Sequence, residues 1–129
     1  MPGMPSGASA ARPFVPARDF EISKRFYQAL GFETLLDSEV VIFGVGQTRF
    51  ILQNYFQEDW AANFMMQLMV DDLDAWWAHI QSLDLVREFG VALPKPPAMQ
   101  PWGLRIVYLT DPSGVLWHVA QRREGVAWD

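Results

Sequence analysis

One arrangement of residues occurs twice in this chain. Arg18-Asp19-Phe20-Glu21 is followed by Tyr27-Gln28, Leu30 and Phe32; Asp71-Asp72-Leu73-Asp74 is followed by Ile80-Gln81, Leu83 and Leu85. A shift of 53 positions carries Asp19 onto Asp72, Tyr27 onto Ile80, Leu30 onto Leu83 and Phe32 onto Leu85. Each copy reads as a strand, an acid-capped helix and then hairpin strands. A duplicated unit of this kind commonly encloses a cleft between its copies. The walls of that cleft then decide between catalysis and plain binding.

Length and composition narrow the classes. The 129 residues suit one domain with a substantial core. There is no cysteine, so thiol nucleophiles, thiolate metal sites and disulfides are excluded together. The net charge of −5 gives no basic stripe for nucleic acid and weakly favours cationic small molecules. No apolar run is long enough to cross a bilayer. The opening residues lack the basic-then-apolar order of a secretion signal, so the cytoplasm is the expected compartment. Residues 1–11, rich in Gly, Pro, Ser and Ala, read as a flexible tail, and 122–129 as a second tail. The domain spans 12–121, in modules of about 12–53 and 64–121. Six Trp imply a core, a subunit interface or an aromatic-lined pocket.

Local signals place the elements. Phe14 to Ala17 reads as an edge or irregular strand because of its prolines. Asp19 caps a helix whose buried stripe is Ile22, Phe26 and Leu30, and Gly31 ends it. Strands follow at Thr34–Leu36, Val40–Val45 and Thr48–Gln53. A linker, Asn54 to Asn63, carries Tyr55, Phe56 and Trp60. In the second copy Phe64–Val70 is a strand, and Leu73, Trp76, Trp77 and Ile80 face the sheet from a helix. Leu85–Phe89 reads as a weak strand and Pro94–Pro101 as an extended loop. Leu104–Leu109 and Val115–Gln121 pair around the turn Asp111-Pro112-Ser113-Gly114, where Ser113 serves as a turn residue. His79 is expected at a solvent edge of the second helix.

Gln100-Pro101-Trp102-Gly103 with Tyr108-Leu109-Thr110-Asp111-Pro112-Ser113-Gly114 resembles the end of bleomycin-resistance-type proteins. Phe14-Val15-Pro16-Ala17-Arg18-Asp19, Phe26-Tyr27 and Leu30-Gly31-Phe32 resemble their beginning. Together they place the chain near the glyoxalase/bleomycin-resistance/extradiol-dioxygenase (vicinal oxygen chelate) family. The resemblance implies an α+β fold of two βαβββ modules forming half-open curved sheets, and a homodimer with shared pockets. Members of one fold have differing functions, so the site must decide.

Enzymes of this family hold a divalent ion with His, Gln or Glu from four strands. Counting from the cap aspartates and the hairpin turns gives Arg12, Phe50, Met65 and His118 as the corresponding positions. Guanidinium, phenyl and thioether are poor partners for such an ion, and one imidazole does not make a site. The expectation is therefore no metal and no cofactor. Alternation along the strands places Met65, Gln67 and Met69 on one face, with Leu116, His118, Phe50 and Leu52 joining it. Such walls suit an aromatic or apolar ligand. Drug-binding relatives place an aromatic where Trp102 stands, and Tyr55 and Trp60 follow as second candidates. His118 is the one candidate for acid–base work. The favoured reading is a metal-independent binder of a drug-like or antibiotic-like molecule. The alternatives are a lyase, isomerase or dioxygenase using a displaced metal or His118, and a protein whose Trp-rich surface binds another polypeptide.

Overall fold

A computed structural model describes residues 3–129; Met1 and Pro2 of the expected tail lie outside it. Residues 3–11 are exposed and contain no helix or strand. The first module contains β1 (Phe14–Pro16), α1 (Phe20–Leu30), β2 (Glu33–Asp37), β3 (Val40–Val45) and β4 (Thr48–Gln53). A one-turn helix, α2 (Glu58–Ala61), lies in the linker. The second module contains β5 (Met65–Val70), α3 (Leu73–Ser82), α4 (Leu85–Phe89), β6 (Lys95–Met99), β7 (Arg105–Thr110) and β8 (Leu116–Gln121). The sheets have orders β1-β4-β3-β2 and β5-β8-β7-β6, the same order under the repeat. In each, the first strand runs parallel to the last and the remaining pairs are antiparallel.

The repeated helix starts share one device. Asp19 accepts from the Ile22 amide (3.2 Å), and Asp72 accepts from the Ala75 amide (3.0 Å). Each carboxylate occupies a free amide of the first turn and faces the positive end of the helix dipole. Gly31 closes α1 at φ 108°, a backbone state that costs glycine little.

Two segments differ from the sequence expectation. Leu85–Phe89 is helix, not strand. Alternation and helical spacing both bring Leu85 and Phe89 to one side, so five residues cannot separate the two. In the fold Leu85 is buried and the Phe89 ring meets Phe26 edge-on at 5.5 Å. The Pro-rich loop contains a strand, β6, at the edge of its sheet. Pro96 and Pro97 fall where its pairing with β7 shifts register, a place where missing amide donors cost least.

The main core is an aromatic-rich cluster shared by both modules, and a smaller cluster of Leu104, Ile106 and Ala120 lies on the other face of the second sheet. Tyr27 lies at its centre, with Phe43, Phe50 and Trp117 rings 5.2–5.7 Å away. Its hydroxyl donates to Asp111 Oδ2 (2.6 Å) and accepts from Trp117 Nε1 (3.0 Å). The Asp111-Pro112-Ser113-Gly114 turn is thus more than a hairpin end. Ser113 is buried, accepts from the Arg18 amide (2.9 Å) and shares a 3.2 Å hydrogen bond with Ser23. His79 also joins the modules: its Nε2 lies 2.9 Å from the Leu30 carbonyl at the end of α1, not at a solvent edge. Trp76 and Trp77 are half-buried against the core, as their spacing predicts.

Candidate functional site

Each sheet packs one face into the core and leaves the other without a helix. On β5, Leu68 and Val70 point inward, so Met65, Gln67 and Met69 point to the open face. Strand pairing extends that face. Gln67 stands beside His118, and His118 beside Tyr108. The His118 ring meets Tyr108 edge-on, with centroids 4.8 Å apart and planes at 82°. Partial burial pushes the His118 imidazole below its ordinary pKa, so the neutral ring predominates at pH 7. Among the described residues, Gln67, Tyr108 and His118 have no side-chain hydrogen-bond partner in the protein. Their polar ends are free to meet a ligand. At one end of this face a cavity of about 340 Å³ is lined by Leu93, Lys95, Tyr108, Thr110 and Leu116. That volume lies within the range of small-molecule sites.

The residues singled out in the sequence separate into four places. Met65, Gln67 and His118 share the open face of the second sheet. Tyr55 and Trp60 meet Phe14 and Phe64 in a hollow of about 160 Å³ beside the first sheet. Trp102, 54% exposed, stands on the turn between β6 and β7. Phe50 and Leu52 lie on the core side of β4, 1% and 0% exposed, and Phe50 reaches the site side only at a cavity of about 300 Å³ that it lines together with Gln67 and Met69.

The cause is a slip of one residue. The 53-position shift carries Phe14 onto Gln67. Phe14 pairs with Ile51, and Gln67 pairs with His118. Ile51 is therefore the counterpart of His118, and Phe50 is the counterpart of Trp117. The Phe50 and Trp117 rings touch in the core with centroids 5.6 Å apart. Gly46 and Gly114 stand in the corresponding hairpin turns of the two modules, and these turns differ in length. Val45 pairs with Thr48 across one turn, and Thr110 pairs with Leu116 across the other. A single step in strand register moves a side chain to the opposite face.

The corrected positions are Arg12, Ile51, Met65 and His118. Ile51 has no donor atom, so this set still contains one imidazole. Among the described residues no three His, Asp or Glu side chains converge as metal ligands. This donor chemistry does not fit a divalent ion.

Tyr108, Lys95 and Thr110 were missed in the sequence. Tyr108 and Thr110 alternate on β7 and pair with His118 and Leu116, so hairpin register gives a signal for them. Lys95 gives none, because it depends on β6 being a strand.

The wider comparisons agree with this architecture. The sequence profile of the Glyoxalase/Bleomycin resistance protein/Dioxygenase superfamily matches residues 10–119. A bleomycin resistance protein of Klebsiella pneumoniae is 29% identical over 118 residues, covering 86% of this chain and 90% of that protein. A bleomycin-binding protein solved in complex with bleomycin superposes with a TM-score of 0.73 at 26% identity, covering 90% of this chain and all (100%) of the other. TnmS3, an antibiotic binding protein from Streptomyces sp. CB03234, gives a TM-score of 0.73 at 26% identity, covering 93% and 100%. The chain belongs to the glyoxalase/bleomycin resistance protein/dioxygenase superfamily.

Proposed function

We propose that this protein binds and sequesters a small, largely apolar or aromatic molecule of the drug or antibiotic class, without a metal ion. The observation that carries the reading is the group Gln67, Tyr108 and His118. It presents three polar ends with no protein partner on a face whose other residues are Met, Leu, Ile and Ala, with Thr110 and Lys95 at one end. Apolar walls supply affinity, and a few polar points fix orientation. Met65 and Met69 add flexible, polarizable surface that adapts to a flat guest. The likeness to bleomycin-binding and antibiotic-binding proteins supports the ligand class. The donor set at the family's metal positions supports binding without an ion.

The reading includes a homodimer located in the cytoplasm. Phe14, Met65, Trp60, Met99 and Trp102 are each more than half exposed. Such apolar exposure favours cover by a second copy. In this arrangement the open face of one chain's first sheet meets the open face of the other chain's second sheet. The hollow holding Tyr55 and Trp60 then joins the side occupied by His118, and Trp102 stands at the mouth. No helix among the described residues is long and apolar enough to cross a membrane.

The test is a titration of chelator-treated protein with metal-free bleomycin, followed by Trp fluorescence, with mass determination by light scattering. Saturable quenching by a two-chain species supports the reading. Binding that appears only after a divalent ion is added contradicts it.

A further inference from the structure

The open face of the first sheet carries a cation with no acidic partner. Arg49 stands on β4 opposite Gly44 of β3 and is half-buried. Its Nη1 donates to the carbonyls of Gly46 (3.0 Å) and Thr48 (2.9 Å), so the side chain folds back over its own hairpin. Gly44 makes this possible. A Cβ there would lie 3.0 Å from Arg49 Nη1, 3.2 Å from Arg49 Cδ and 3.1 Å from Leu35 Cδ1. Space, not backbone conformation, calls for glycine at this position.

Lys24, Arg87, Arg105, Arg122 and Arg123 each pair with a carboxylate. Among the described residues Arg12, Arg18, Arg25, Arg49 and Lys95 form no such pair, although the chain has a net charge of −5, and of these Arg49 lies within β4 on the open face of the first sheet. Glu33 lies in the same row, across Gly44 on β2, and forms no ion pair with it. The Nε and Nη2 donors of Arg49 have no acceptor among the described residues. Apolar surface adjoins the guanidinium. Leu35 touches its row, and Ile51 and the 52%-exposed Phe14 follow along the sheet. The ladder continues to the Pro13 carbonyl, which accepts from the Ile51 amide (3.0 Å) and brings Arg12 to the same end of the strand pair.

We infer that the guest carries an anionic group, a carboxylate, sulfonate or phosphate, on its apolar body, and that Arg49 holds this group. The inference rests on the small-molecule reading above and names the class of molecule. Two fixed bonds orient the guanidinium, so its free edge is organised for a planar or tetrahedral oxyanion. The chain's overall negative field opposes anions at long range, but salt screens it beyond about 8–10 Å. Contact with Arg49 acts inside that distance.

Two fluorescent probes share one aromatic body. 8-Anilinonaphthalene-1-sulfonate carries a sulfonate, and N-phenyl-1-naphthylamine carries none. Wild-type protein should bind the sulfonate probe more tightly, by about tenfold at low salt, the size of one charge-assisted hydrogen bond. Arg49→Gln should abolish that preference and leave the neutral probe's affinity unchanged. Gly44→Ala is a second variant, which displaces the guanidinium without removing it, and it should reduce the preference in the same direction. Circular dichroism and melting confirm that each variant is folded. Equal affinity of the two probes for wild type overturns the inference and leaves the small-molecule reading standing. Arg49→Gln that alters the oligomeric mass but neither affinity also overturns it, because Arg49 is then an interface residue. If neither probe binds, the small-molecule reading falls and this inference with it.

Discussion

The Tyr27 hydroxyl reaches across 84 positions of sequence to Asp111 Oδ2 at 2.6 Å, tying the first helix of one module to the last hairpin of the other. The same hydroxyl accepts from Trp117 Nε1 at 3.0 Å. Asp111 Oδ1 accepts from the amides of Ser113 (2.8 Å) and Val115 (2.9 Å). One buried carboxylate thus shapes its own turn and docks that turn on α1. Burial, reinforced by the neighbouring carboxylate, holds the Tyr27 phenol well above its ordinary pKa, so it stays a donor.

Removing this hydroxyl leaves a buried indole N–H unpaired and takes a donor from a buried carboxylate. Tyr27→Phe should therefore destabilise the fold by about 1–3 kcal/mol, although it keeps the ring. Thermal or urea unfolding measures this. A variant as stable as wild type would show that the modules are held by apolar packing alone.

The strand register makes opposite demands of Phe50 and Met65. Phe50 is 1% exposed and packs on Trp117, whereas Met65 is 61% exposed on the open face. Phe50→Ala should cost about 3–5 kcal/mol, as buried aromatic truncations do. Met65→Ala should change stability by no more than about 0.5 kcal/mol and weaken ligand binding instead. Equilibrium unfolding of the two variants checks the assignment. A reversed order of stabilities would return Phe50 to the cleft.

The C-terminal segment has an acid-sensitive clasp. Asp129 accepts from Arg123 Nε (2.8 Å), Arg123 Nη2 (2.9 Å) and the Arg123 amide (2.8 Å). The Arg123 side-chain bonds are the largest cause lowering the Asp129 pKa to about 2 from the ordinary 3.8. A depressed carboxylate pKa contributes stability above the unfolded value, and that contribution is lost as pH falls toward the folded value. Asp129→Asn should therefore be less stable than wild type at pH 5–7. The difference should shrink from about pH 4 to pH 2 and vanish below that. Melting curves across pH test the sign. Asp111 works in the opposite direction: burial raises its pKa, so its ionisation costs stability as pH rises through the folded value.

His118 gives binding its own pH dependence. Burial already lowers its pKa, and an apolar guest laid over the ring would desolvate it further. Such a guest disfavours the imidazolium, so affinity for a neutral aromatic probe should fall as pH drops through the His118 pKa, below 6.5. His118→Gln should remove that slope. Isothermal titration at several pH values measures it, and an unchanged slope in the variant would place His118 outside the binding surface.

Much of the fold was legible because the signals were local and repeated. Asp19 and Asp72 stand at matching cap positions, and Gly31 stops α1 where a left-handed residue is needed. The strands of the first module and the final hairpin follow from alternation and turn residues. Failures occurred where local signals were ambiguous. Leu85–Phe89 is too short for its period to be assigned, and β6 carries prolines that a sheet edge tolerates. The site was half legible. Met65, Gln67 and His118 share a face because alternation within one module is reliable. Phe50 was misplaced because relating the modules depended on two hairpin turns of unequal length. The links made by Ser113 and His79 were hidden, because no spacing in the chain announces contacts between residues 90 or 49 positions apart.

The most direct measurement is the stoichiometry and affinity of metal-free bleomycin for chelator-treated protein, with metal content determined on the same sample. The account predicts saturable binding near one ligand per chain with substoichiometric metal, and weaker binding in Met65→Ala and His118→Gln variants that melt like wild type. A stoichiometric ion held by His118 and at least two other side chains, or a complete lack of saturable binding, would contradict it.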